Sequence, residues 1–128
     1  MAKILIIDDE EAIREMLQVL LEKAGYEVQV AVDGKEGVDL FRTAPAELVI
    51  TDLFMPNRDG LDIIKEFRLA FPDVKIIAIS GGGMVGVQEE TKKDLLAIAR
   101  EFGACCTFVK PFNLNDILFT VNELLGDN

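Results

Sequence analysis

Runs of apolar residues alternate with amphipathic stretches from one end of the chain to the other. Lys3 to Ile7 is apolar without a break after its lysine, the pattern of a strand buried on both faces. Ile13, Met16, Leu17, Leu20 and Ala24 follow at helical spacing, and Gly25 closes that helix as a C-terminal cap. Val28 to Val32 predicts a second strand. Asp33-Gly34 predicts a turn, and Val38 with Phe41 a short helix ending near Ala44-Pro45. Leu48 to Thr51 predicts a third strand, and Pro56 to Gly60 a loop. Ile64, Phe67 and Phe71 mark a helix stopped by Pro72, before a fourth strand over Val74 to Ile79. Ser80 to Gly86 is a glycine-rich loop. Leu95, Ile98, Ala99 and Phe102 form a helical stripe ended by Gly103. Cys105 to Val109 predicts a fifth strand, and Leu114, Ile117, Leu118, Val121, Leu124 and Leu125 a final helix.

Five strands alternating with five helices predict an α/β fold, with right-handed crossovers and a parallel sheet covered on both faces. No repeat, linker or second domain interrupts the pattern, so residues 1–128 read as a single domain. In such sheets the site lies beyond the carboxyl ends of the strands. Asp8 and Asp9 follow the first strand, Asp52 the third, Ser80 the fourth and Lys110 the fifth. If the first and third strands are neighbours, these five side chains converge on one edge. Each has an ordinary reading by itself. Asp9 could cap the first helix, Asp52 could start a turn before Pro56, Ser80 could be a loop hydroxyl and Lys110 a solvated lysine. Those separate readings do not predict polar residues recurring at corresponding strand ends.

Charge gives the cluster its chemistry. Two carboxylates about 4 Å apart repel by about 4 kcal/mol at an effective dielectric near 20. Three together call for protonation or a cation. Oxygen ligands in low number suit magnesium, which keeps several waters. Lys110 adds a second positive charge, so the site is suited to hold an added anion beside a carboxylate. Phosphoryl transfer meets that description. Asp52 can attack phosphorus and form an acyl phosphate, with the cation and Lys110 neutralising the transferred oxygens. Ser80 can hydrogen-bond a phosphoryl oxygen once transfer has occurred.

Composition narrows the alternatives. The net charge of -10 disfavours direct contact with nucleic acid. No apolar run approaches the roughly 20 residues that span a bilayer, which predicts no membrane insertion. The start turns acidic at Asp8, too early for a signal peptide, which predicts a cytoplasmic protein. Cys105 and Cys106 are adjacent and point to opposite faces of an extended strand, so they read as reduced thiols, at least one of them buried. There is no histidine. That removes Ser-His-Asp and Cys-His catalysis and His-ligated zinc, and a phosphohistidine must come from another protein.

These residues resemble the receiver domain of bacterial two-component response regulators. The resemblance covers essentially the whole chain. It rests on Asp8-Asp9, on Asp52-Leu53-Phe54-Met55-Pro56, on Gly60 and Ser80, and on Lys110-Pro111-Phe112. It implies a flavodoxin-like, doubly wound fold with five parallel strands in the order 2-1-3-4-5. It implies phosphorylation of Asp52 by a sensor histidine kinase or a histidine phosphotransferase, and an unknown downstream protein as the recipient of the signal. It implies Mg2+, or Mn2+, bound by Asp9, Asp52 and the backbone carbonyl of Phe54, with Asp8 acting largely through water. Ser80 and Lys110 would contact the phosphoryl group. The expected molecule is a stand-alone switch with no output domain, catalysing only its own phosphorylation and dephosphorylation. Three features depart from the family pattern. Thr107 stands where an aromatic switch residue is common, and Phe108 beside it points to the opposite face. The interval from Ser80 to Lys110 is long. Phe54 places a bulky apolar side chain two residues after the acceptor, where it would shield an acyl phosphate from water.

Other readings fit less well. Ala78-Ile79-Ser80-Gly81-Gly82 is close to a nucleophile elbow, but Ala78 replaces its glycine and no histidine base exists. A small aspartyl phosphatase of the haloacid-dehalogenase type wants a second Asp at Phe54. A nucleotide-binding module wants a Walker lysine or a G-x-G-x-x-G pattern after Gly81. A phosphorylation-independent adaptor of the same fold would not need all five site residues.

Overall fold

Ile4, Leu5, Ile6 and Ile7 are wholly inaccessible to solvent, as a central strand must be when helices cover both of its faces. In the computed structural model, which describes residues 2–53, 60–80 and 89–126, they form β1 (Lys3–Ile7). This strand pairs in parallel with β2 (Glu27–Ala31) on one side and β3 (Leu48–Asp52) on the other. Beyond β3 lie β4 (Lys75–Ser80) and β5 (Cys106–Val109), giving the order β2-β1-β3-β4-β5. Helices α1 (Glu11–Lys23), α2 (Gly34–Thr43), α3 (Gly60–Ala70), α4 (Glu89–Phe102) and α5 (Leu114–Leu124) alternate with the strands. The α/β class, the parallel sheet and the 2-1-3-4-5 order agree with expectation.

The period of two along each strand divides the core into two layers. Leu5, Ile7, Val49, Ile76 and Ala78 face Phe41 of α2, Phe67 of α3 and Ala99 of α4. Ile4, Ile6, Leu48, Ile50, Ile77 and Ile79 face Leu17 and Leu21 of α1 and Ile117 and Val121 of α5. Phe41 and Phe67 meet edge to face at 5.1 Å, and the Phe41 and Phe71 rings are tilted to each other at 4.4 Å.

Several local expectations change. Val32 lies past β2 and is 46% exposed. Its amide donates to Glu36 Oε1 at 2.7 Å, while the Glu36 amide donates to Asp33 Oδ1 at 2.9 Å. This near-reciprocal pair makes Asp33 the cap of α2, so Gly34 is helical rather than part of a separate turn. Asp52 and Ser80 are the last residues of their strands rather than the first beyond them. The ladder continues there because Leu53 N–H donates to Ile79 O at 2.8 Å and Lys110 N–H to Ser80 O at 2.7 Å. Neither cysteine is buried: Cys105 is exposed and Cys106 half-buried. The reason is that β5 is an edge strand with one neighbour. Of the loops expected over Pro56 to Gly60 and Ser80 to Gly86, residues 56–59 and 81–86 lie outside the described residues, and Gly60 opens α3.

Gly37 brings α2 close to β1. A Cβ there would stand 2.8 Å from Ile7 Cγ1, and Ile7 is fully buried, so it would have to shift within the core. Gly37→Val is expected to destabilise the fold by about 2–3 kcal/mol through overpacking. Urea unfolding should show a lower midpoint at an unchanged slope.

Candidate functional site

The polar strand ends do converge. Asp8 leaves β1 with its amide donating to Ala31 O at 3.2 Å, so it stays in the sheet plane for one more residue. It is 1% exposed. Its Oδ1 accepts from the Glu10 amide at 2.8 Å, and Arg14 Nη1 donates to its carbonyl oxygen at 2.8 Å. These bonds brace the short segment between β1 and α1. Asp9, within that segment, is exposed. Glu10 rather than Asp9 holds the N-cap position of α1, and its side chain makes no cap hydrogen bond.

Asp52 ends β3, next to β1, and is fully buried. Asp8, Asp9, Glu10 and Asp52 each offer one carboxylate oxygen, and these atoms lie within 4.8 Å of one another. Lys110, just after β5, reaches across to them. Its Nζ is 2.5 Å from Glu10 Oε1, 3.0 Å from Asp8 Oδ2 and 3.2 Å from Asp52 Oδ2. The contact to Asp8 Oδ2 is an ion pair without the direction of a hydrogen bond. Ser80 ends β4, one position beyond Ile79, the register partner of Asp52. It is fully buried, and its Oγ has no hydrogen-bond partner among the described residues.

Burial and charge oppose each other here. Burial pushes the Asp8 carboxyl above its ordinary range, against the Glu10 amide and Lys110, which favour the charged form. Burial pulls the Lys110 ammonium down, but the Glu10 hydrogen bond and the charges of Asp52 and Asp8 outweigh it and hold the group protonated more firmly than usual. A carboxyl with a raised folded pKa stabilises the fold fully below its ordinary 3.8 and loses that contribution as pH rises through the raised value. In metal-free buffer, Asp8→Asn is therefore expected to melt higher than the native protein at neutral pH. The difference should shrink in acid. Melts in chelator on both sides of the transition check this.

The cluster fits a hard divalent cation. Two buried and two exposed carboxylates crowd together around a single described ammonium, and oxygen donors in this number suit Mg2+. Of the expected residues, Asp8, Asp9, Asp52 and Lys110 come together, with Ser80 on the adjoining strand end. Phe54 lies outside the described residues. Thr107 pairs in register with Ala78, whereas Phe108 packs into the opposite core layer, so the two side chains take opposite faces. Glu10 was missed by sequence reasoning. In the run Asp8-Asp9-Glu10-Glu11 it reads as an acidic residue suited to a helix start.

Residues 4–122 match the family model of the response regulator receiver domain. The chain belongs to that family. This receiver is 30% identical over 123 residues to sporulation initiation phosphotransferase F of Bacillus subtilis, covering 96% of this chain and 93% of that protein. It is 34% identical to chemotaxis protein CheY of Thermotoga maritima, covering 95% and 96%. It also superposes on the response regulator TrrA of Thermotoga maritima, crystallised in complex with Mg2+-BeF, with a TM-score of 0.80 at 33% identity, covering 97% and 99%. Curated proteins named as a response regulator and as transcriptional regulators match as well, and the receiver spans about half of their length. Membership makes the protein a regulatory receiver of two-component signalling, from a family with a phosphoacceptor role. Among the described residues, no helix is long and apolar enough to cross a membrane.

Proposed function

We propose that Asp52 accepts a phosphoryl group from the phosphohistidine of a sensor histidine kinase or a histidine phosphotransferase, with Mg2+ held by Asp8, Asp9, Asp52 and the Phe54 carbonyl. The observation that carries the proposal is the Lys110 ammonium 3.2 Å from an oxygen of the fully buried Asp52. An Asp52 oxygen donates a lone pair to phosphorus as the P–N bond breaks. The imidazole nitrogen keeps the electron pair of the broken P–N bond and leaves neutral when the ring holds one proton. Lys110 already faces the attacking carboxylate and would neutralise charge on the transferred oxygens. Bound Mg2+ would supply further positive charge to the same oxygens and to the carboxylates.

Ser80 would report the event. Its buried hydroxyl has no described partner before transfer, and a phosphoryl oxygen on Asp52 would supply one. A contact made in only one state biases a conformational equilibrium. The face formed by α4, β5 and α5 is the proposed reader of that bias, toward a downstream protein. On this reading the receiver is a switch, with no reaction on a free substrate beyond its own modification.

The test uses acetyl phosphate as the donor and intact mass as the readout. With Mg2+, the native protein is expected to gain one phosphoryl group. In chelator the gain should fall to background, because the crowded carboxylates then repel the anionic donor. Equal uptake with and without the ion would remove the metal from the proposal.

A further inference from the structure

Lys110 is shared unequally among the carboxylates at the rim of the sheet. Its Nζ lies 2.5 Å from Glu10 Oε1, against 3.0 Å for Asp8 Oδ2 and 3.2 Å for Asp52 Oδ2. Glu10 occupies the N-cap position of α1, yet its side chain turns to Lys110 and makes no cap hydrogen bond. Its amide is fixed by Asp8 Oδ1 at 2.8 Å, and the same segment is held by Arg14 Nη1 on the Asp8 carbonyl at 2.8 Å. The Glu10 carboxylate therefore approaches Lys110 from a braced backbone. The Glu10 side chain is 46% exposed, whereas those of Asp8 and Asp52 are buried. Glu10 is thus the outer partner of the ammonium and the other two are inner partners.

We infer that Glu10 is a positioning residue that restrains Lys110 and so sets how readily a phosphoryl group is taken up at Asp52, an inference that rests on the function proposed above. A lysine ammonium has three donor hydrogens; here Glu10 and Asp52 accept from it, and Asp8 attracts the same ammonium as an ion pair. An arriving phosphoryl group needs one of those donors. Glu10 has the shortest contact and sits outermost, so it is the partner that must yield. Its charge also opposes the approach of an anionic donor. Both effects act in one direction: removing the charge speeds uptake. The carboxylate is nearly half in water, so the effect is modest and screened by salt.

The experiment compares initial rates of phosphoryl uptake from acetyl phosphate, in saturating Mg2+, for the native protein, Glu10→Gln and Glu11→Gln. Glu11 is exposed in the first turn of α1, and the carboxylates paired with Lys110 among the described residues are Asp8, Glu10 and Asp52. Its neutralisation makes the same charge change one residue away. Glu10→Gln is expected to be about two- to five-fold faster than native at low salt, with the gain narrowing towards parity at high salt. Glu11→Gln should stay close to native in both. A Glu10→Gln rate equal to or below native, a gain that salt leaves unchanged, or the same gain from Glu11→Gln would each overturn the positioning role while leaving phosphoryl uptake intact. A native protein that gains no phosphoryl group would overturn the underlying function and this role with it.

Discussion

Asp52→Asn is expected to gain no phosphoryl group from acetyl phosphate or phosphoramidate under conditions that fully modify the native protein. The substitution keeps the shape of the side chain and removes its charge and nucleophilicity. An amide does not form the acyl phosphate that a carboxylate forms. Among the described residues, neither adjoining aspartate is placed to substitute well. Asp8 is buried with Oδ1 committed to the Glu10 amide and Oδ2 facing Lys110, and Asp9 is exposed at the rim. Loss of uptake should not come from unfolding. Asp52 has an oxygen within 4.8 Å of those of Asp8, Asp9 and Glu10 and shares the Lys110 ammonium with two of them, so removing one of four carboxylates crowded at one cation relieves repulsion while the ammonium keeps its other partners. The variant should therefore melt no lower than native in metal-free buffer. Intact mass and a thermal melt on the same sample check both halves. Full modification of Asp52→Asn would place the acceptor elsewhere and sink the proposal.

Phe67→Ala is expected to destabilise the fold by about 3–5 kcal/mol. Phe67 is 1% exposed. Its ring meets Phe41 edge to face at 5.1 Å and lies 6.0 Å from Phe71. Truncation opens a cavity between α2, α3 and the sheet, and aromatic pairing adds to the lost burial. A native domain has only about 5–15 kcal/mol in hand, so roughly a fifth of the stability or more would go. Urea unfolding should show a large drop in midpoint at constant slope. Phe119→Ala serves as the contrast. Phe119 is 67% exposed on α5, and its loss should change stability by no more than about 0.5 kcal/mol. Similar midpoints for the two variants would mean that the aromatic cluster is not a tightly packed layer.

Much of the candidate site was legible because it interrupts apolar runs. Asp8 breaks the run that ends at Ile7, Asp52 the one that ends at Thr51, and Lys110 the one that ends at Val109. A charge after a buried strand has few places to go except the rim of the sheet. Element boundaries were less legible. Val32 is as apolar as its neighbours in β2, yet Glu36 captures its amide and Asp33 caps a helix that starts at Gly34. Cys105 and Cys106 have the composition of a buried strand, but Cys105 precedes β5 and Cys106 opens it, an edge strand with no neighbour on one side. The order of the strands came from resemblance to a family, because periodicity reports which residues are buried and not which strand lies next to which.

Taken alone, then, the sequence determined the alternation of strands and helices, the two apolar faces of the sheet and the acidic, histidine-free rim. These follow from local spacing and from residue chemistry. Only the tertiary structure decided that Lys110 is shared among Asp8, Glu10 and Asp52, with Glu10 nearest, across a chain separation of 100 residues. That sharing depends on β1 lying beside β3, on β5 standing two strands from β3, and on a lysine long enough to reach over β4. No local propensity encodes such a contact, because its partners become neighbours only when the sheet has assembled.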